Sequence, residues 1–181
     1  MALKELLLAA IVQWAPPWYP PGKNPELPDQ YRARLDTIAQ AVAIEAAQVK
    51  KTRLDKRALA AATLVIWYGE TRFSHGVHVK GVSRWGQDRG KARCMGQIHV
   101  SGLVPKKEWD LLVGGDLEAT RRCARATLRV LAAQSRYCGV RRPTEAGIAK
   151  VISAYGTGKG CRTTDQGKKR ARRWARLMKG I

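Results

Sequence analysis

Leu59, Thr63, Ile66 and Glu70 recur at i, i+4, i+7 and i+11, the rhythm of one helix face. The carboxylate thus extends a largely apolar, inward-facing stripe. It also falls in the last turn of the helix predicted from Lys56 to Glu70, where the negative end of the dipole disfavours another negative charge. Desolvation and the dipole both act to keep a proton on such a group. A carboxylic acid held protonated near neutral pH can give its proton to a departing oxygen, the step that glycosidic cleavage requires. The plainer reading of the same residue is an exposed helix-end glutamate paired with Arg72.

A second carboxylate would change the chemistry. Inverting hydrolases hold two, about 6.5–9.5 Å apart, so that one activates water. Between Glu70 and Glu108 the only acid is Asp88, flanked by Arg84 and Arg89, so a surface ion pair competes with catalysis for it. His75, His78 and His99 lie in the same region, yet no carboxylate or Cys completes a metal-binding pattern around them. Cys94, Cys123, Cys138 and Cys161 show no C-x-x-C spacing. No metal and no cofactor is expected.

The elements that must position these groups are almost all helical. A short helix is predicted over 3–13, followed by an extended connector with Pro16, Pro17, Pro20, Pro21, Gly22, Pro25 and Pro28. Trp14, Trp18 and Tyr19 are its anchors. Asp29 is the expected cap of a helix to about Val49, and Asp55 that of the helix ending at Glu70. Residues 74–93 read as a long loop with room for a small hairpin. A short helix follows over 105–113. Asp116 opens a long one to Cys138, closed by Gly139. Thr144 opens another to Tyr155, and a last one begins after Thr164 or Asp165 with Ala171, Trp174 and Met178 on one side. Cys123 and Cys138 fall on the same helix, about 22 Å apart at ~1.5 Å per residue, too far to bond to each other. Any disulfide reaches elsewhere, for example Cys94 to Cys161; four free or buried thiols are the alternative. The fold class is mainly α, in one domain over 1–181: an N-terminal helix and connector (1–28), a motif-bearing core (55–161) and a basic C-terminal helix (165–181).

Three short segments within that core carry a resemblance. Gly69-Glu70-Thr71-Arg72-Phe73 resembles the Glu-Ser-x-Phe signature of soluble lytic transglycosylases and goose-type lysozymes. Cys94-Met95-Gly96-Gln97-Ile98 resembles their Met-Gln-Ile segment. Ala154-Tyr155-Gly156-Thr157-Gly158 is similar to their Ala-Tyr-Asn-x-Gly. The resemblance implies a lysozyme-like fold and cleavage of peptidoglycan glycan strands, with Glu70 as acid and then base. It implies that Thr71 donates a hydroxyl to Glu70 and that Tyr155 lies near it. It also implies that Gln97 contacts sugar, that Met95 and Ile98 supply apolar surface, and that Thr157 joins the substrate-binding set. The chain departs from the pattern twice: Gly156 stands where the family has Asn, and Gly96 separates Met95 from Gln97. A transglycosylase needs only one acid/base, so the lyase is the leading expectation. A hydrolase using Asp88 is the alternative.

Charge bounds the partners. Thirty-four Lys+Arg against 14 Asp+Glu give +20, a field that favours polyanions. A nucleic-acid-binding protein is the competing class, as is a cationic membrane-active protein with a decayed site. The basic residues are spread along the chain, and no helix-turn-helix, zinc-finger or RNA-binding motif stands out, so no specific nucleic acid is expected. The expected partner is peptidoglycan, met by a monomer. The tail Lys168–Lys179 interleaves cations with Trp174, Leu177 and Met178; it reads as a docked helix with a solvated basic face, or as a helix engaging lipopolysaccharide or anionic lipid. Lys4-Glu5 and the absence of a small-residue cleavage site disfavour a secretory signal in the apolar run Leu6–Val12. That suits a phage-type lysin or virion-borne enzyme acting on the cell wall.

Overall fold

From Ala58 to Trp67 every residue is buried. A helix apolar on all sides must lie inside the domain, and the computed structural model places it there. The structure describes residues 2–15, 26–50, 52–80, 91–158 and 160–180. Its helices are α1 (Leu3–Trp14), α2 (Pro28–Gln48), α3 (Lys56–Thr71), α4 (His75–Lys80), α5 (Lys106–Trp109), α6 (Leu117–Tyr137), α7 (Glu145–Thr157) and α8 (Asp165–Met178). The chain is mainly α, and among the described residues β structure is limited to two isolated bridges, Arg93 with Ile98 and Ser101 with Val104.

α1, α2, α6, α7 and α8 all pack on α3. One core results, with Leu7, Ile38, Leu64, Trp67, Leu128, Ile152 and Trp174 among its members. Caps start four of the helices: Asp55, Asp116, Thr144 and Thr164 each accept a backbone N–H from the first turn, satisfying donors that a helix start leaves open. α2 differs from expectation. Leu27 takes the cap position and Pro28 starts the helix, its fixed φ suiting the first turn. Asp29 sits inside the first turn, where its charge still complements the dipole.

α8 is bound tightly. Gly167 lets it approach α7: a Cβ there would lie 1.9 Å from Ser153 Oγ. Trp174 is buried and its indole donates to the Ala58 carbonyl at 3.0 Å, while Lys169, Arg172 and Arg176 face solvent.

Three local expectations are corrected. The loop expected over 74–93 contains α4, because Val77 and His78 are buried and their backbone closes a helical turn beneath them. The short helix expected over 105–113 is a single turn, anchored by Trp109, whose indole donates to the Ile98 carbonyl at 2.7 Å. The cysteines pair as Cys94–Cys123 and Cys138–Cys161 rather than Cys94–Cys161, leaving none free. The first bond ties the turn at 93–98 to α6, and the second ties the end of α6 to the segment after α7. No described helix is long and apolar enough to cross a membrane.

Candidate active site

Glu70 leaves the stripe that leads to it. Leu59, Thr63 and Ile66 are fully buried, but the Glu70 side chain keeps 26% of its exposure. Its partner is neither Arg72 nor a desolvating wall. Arg170 of α8, 8% exposed, donates from Nη1 to Glu70 Oε1 at 2.6 Å. Gly69 makes room for that guanidinium, since a Cβ at 69 would lie 2.5 Å from Arg170 Nε. Arg72 instead caps α3 in the left-handed region and stacks over the Tyr68 ring at 4.5 Å. Thr71 does not serve Glu70. Its hydroxyl donates to the Trp67 carbonyl at 2.8 Å, a back-bond open to any Thr in a helix, and the side chain is buried.

The second wall is the turn at 93–98. Arg93 and Ile98 exchange both backbone hydrogen bonds, at 3.0 and 2.9 Å, and Gln97 N–H reaches back to the Cys94 carbonyl at 3.0 Å. Gly96 sits where this backbone presses on a buried polar cluster. Tyr155 Oη donates to the Gly96 carbonyl at 2.5 Å, and Trp67 Nε1 donates to Thr127 Oγ1 at 3.0 Å. A Cβ on Gly96 would lie 2.4 Å from Thr127 Oγ1 and 2.9 Å from Tyr155 Oη. The glycine that interrupts the Met-Gln-Ile pattern is therefore demanded by close packing. Met95 is a core residue, fully buried, rather than cleft surface. Gln97 folds its amide onto the Cys94 carbonyl at 2.9 Å.

Tyr155 closes the gap between the walls without bonding Glu70. Burial of its hydroxyl pushes the phenol far above its ordinary range; the Thr127 hydroxyl opposes this, and the charge of Glu70 adds to it. The phenol thus stays a neutral donor committed to Gly96, within the field of Glu70 rather than in contact with it.

Two depressions flank the end of α7. One, of about 210 Å³, is lined by Glu70, Arg170, Ser153, Thr164 and Gln166 together with Gly156 and Thr157. The other, of about 370 Å³, is lined by Gln97, Ile98, Ser101 and Tyr155, again with Gly156 and Thr157. The two residues common to both form their shared wall. Thr157 also donates to the Ser153 carbonyl at 2.9 Å. At Gly156 nothing lies within 4 Å of where a Cβ would stand, so the place of the family's Asn is open space.

Left-handed backbone occurs at the end of α3 and in the turn at 93–98. Among the described residues, the non-glycine residues with positive φ are Arg72, Phe73, Cys94 and Gln97, at 49 to 53°. Each such conformation costs roughly 1–3 kcal/mol and persists only where the surroundings enforce it. Burial holds Phe73, and the disulfide holds Cys94.

Asp88 lies outside the described residues. His78 is buried, with Nε2 2.7 Å from Thr120 Oγ1, and no described group of His, Cys, Asp or Glu is arranged to hold a metal. The sequence names none of Arg170, Ser153, Thr164 and Gln166 as site residues: Thr164 is expected only to open the last helix, and that helix is expected to dock through Ala171, Trp174 and Met178 with its basic face in solvent. The one available signal was Arg170 one residue before Ala171 on the inward side of that helix. A further depression of about 300 Å³ between α2 and α6 is lined by Arg125, Arg129 and Arg136. Arg125 and Arg129 are engaged there by Glu45 and Glu108. Comparison of the chain with family models, with curated proteins and with solved structures finds no match in any of the three.

Proposed function

We propose that the chain is a lysozyme-like enzyme that cleaves peptidoglycan glycan strands as a lytic transglycosylase, with Glu70 as its single acid/base. The observation that carries this reading is convergence. Segments around residues 70, 97 and 155, which carry the resemblance, line two depressions with a common wall at Gly156 and Thr157.

The chemistry suits one carboxyl group in a polar depression. A proton on Glu70 passes to the bridging oxygen as the bond from muramic acid C1 breaks. The carboxylate left behind then takes the proton of the muramic acid 6-hydroxyl as that oxygen attacks C1, closing a 1,6-anhydro ring and restoring the acid. Between the two steps Glu70 is an anion, and the Arg170 guanidinium beside it stabilises that state. Gln97, Ile98 and Tyr155 offer amide, aliphatic and aromatic surface to the neighbouring sugar. Two disulfides suit an oxidising setting such as the cell envelope, which a phage-type lysin or virion component would enter. The solvent-facing cations of α8 suit attraction to anionic lipid or lipopolysaccharide.

The test is Glu70→Gln, assayed by zymography on purified cell wall. It should keep the fold and lose cleavage by at least ~10²–10⁴-fold; near-wild-type clearance by the folded variant would sink the reading. Mass analysis of the muropeptides separates the mechanisms: anhydro ends support the lyase. Reducing ends, with activity lost in Asp88→Asn, would establish the hydrolase instead.

A further inference from the structure

We propose that Arg170 is the positioning residue of the site: it clamps one oxygen of Glu70 so that the other is presented to the depression. This rests on the reading of Glu70 as the acid/base. The guanidinium lies between α3 and α8, its side chain 8% exposed, and donates to Oε1 at 2.6 Å. Among the described residues Oε2 has no hydrogen-bond partner, and Glu70 lines the depression of about 210 Å³. One oxygen is thus tied to the protein and the other is left for substrate.

The clamp has a built seat. Nε, Cζ and Nη2 of Arg170 would lie 2.5, 2.8 and 3.0 Å from a Cβ at position 69, so only glycine lets the guanidinium pack flat against α3 beside the carboxylate it holds. The backbone of α8 is fixed independently, by Gly167 against Ser153 and by the Trp174 indole on the Ala58 carbonyl. An arginine one hundred residues from Glu70 in sequence therefore arrives with a fixed head and a fixed base. Freed from it, the carboxyl samples several rotamers, and few of them place a proton on the bridging oxygen. Misplacement of a catalytic group by about 1 Å can cost on the order of 10²-fold in rate.

The experiment measures kcat and KM separately on a soluble muropeptide oligosaccharide, with melting curves for every variant. Arg170→Gln should lower kcat on the order of 10²-fold with KM within about twofold. Arg170→Lys, which keeps a charged donor, should recover part of it. Arg170→Ala should be rescued by guanidinium ion at concentrations far below denaturing, since the ion fits the space vacated beside Gly69. Gly69→Ala leaves both partners in place and evicts the guanidinium from its seat; it should reproduce the kcat loss while the protein still melts cooperatively. Wild-type kcat in Arg170→Gln and Gly69→Ala, with Glu70→Gln inactive, overturns the clamp and leaves the acid/base reading standing. A kcat loss in Arg170→Ala that neither guanidinium nor Arg170→Lys repairs makes Arg170 a structural tie and also overturns it. Activity retained in Glu70→Gln overturns both.

Discussion

Replacing Gly96 with Ala tests whether the turn at 93–98 and the end of α7 form one packed unit. The new methyl carbon would lie 2.4 Å from Thr127 Oγ1, 2.9 Å from Tyr155 Oη and 3.2 Å from Trp67 Nε1. The turn cannot simply back away, because the Cys94–Cys123 bond holds it to α6 and the Trp109 indole holds the Ile98 carbonyl. Overpacking of this kind costs about 1–3 kcal/mol. Displacing Tyr155 or Trp67 from its acceptor leaves a buried donor unpaired, at about 1–3 kcal/mol each. The sum, with one donor lost, is roughly 2–6 kcal/mol, and for a chain of this size that lowers the melting temperature by roughly 4–24 °C. Cleavage should fall further than stability explains, since Gln97, Ile98 and Tyr155 all shift. Gly156→Ala is the control: nothing lies within 4 Å of its Cβ, and alanine favours the helix by up to about 1 kcal/mol. Thermal and urea denaturation of the two variants decide the matter. If Gly96→Ala melts with the wild type, the close approach does not exist in solution and the packing argument fails.

Stability should also depend on His78, whose burial, aided by the nearby Arg34 and His75 and opposed by Asp116, lowers its pKa to about 3. With the folded value below the unfolded one of about 6.5, its stabilisation is complete above pH 6.5 and is lost as pH falls toward 3, by about 1.4 kcal/mol per unit. Melting curves of wild type and His78→Gln between pH 7 and 4 should converge as pH falls; parallel curves would show that the imidazole is not held neutral. Removing either disulfide should cost roughly 3.5 kcal/mol by loop closure, because the bonds span 23 and 29 residues. Cys94→Ser with Cys123→Ser should impair cleavage at temperatures where Cys138→Ser with Cys161→Ser does not; equal activity of the two double variants would refute a role for the first bond in holding the turn. On α8, Arg172→Gln with Arg176→Gln should leave stability unchanged and weaken binding to whole cell walls at low salt, with the gap closing as salt rises. Arg173 is left alone because it stacks on Tyr68 at 4.4 Å, and unchanged wall binding at low salt would make the basic face of α8 inert.

The helices were legible because their causes are local. Asp55, Asp116, Thr144 and Thr164 cap backbone a few residues away, and the apolar rhythm of α3 and of α8 lies within single helices. The three motif segments could likewise be found by inspection. What bonds to what inside them could not. Thr71 matched the pattern and turned to its own helix; Met95 matched and went into the core. The cysteine spacing excluded one pairing, but nothing local distinguishes the remaining ones, since a disulfide depends on Cα atoms brought to about 5–6 Å by packing. Glu70 is the clearest case. Its helix position argued for desolvation, and its actual environment is a guanidinium from the opposite end of the chain. That contact is decided by how α8 lands on α3 and α7, through a glycine at 167 and an indole at 174. Hydrophobic period and capping propensity determine where each helix begins and which face turns inward. Which two inward faces meet, and therefore which charge stands beside which carboxylate, is set only when the whole core packs, because that choice minimises empty volume and unpaired polar groups over all the helices at once.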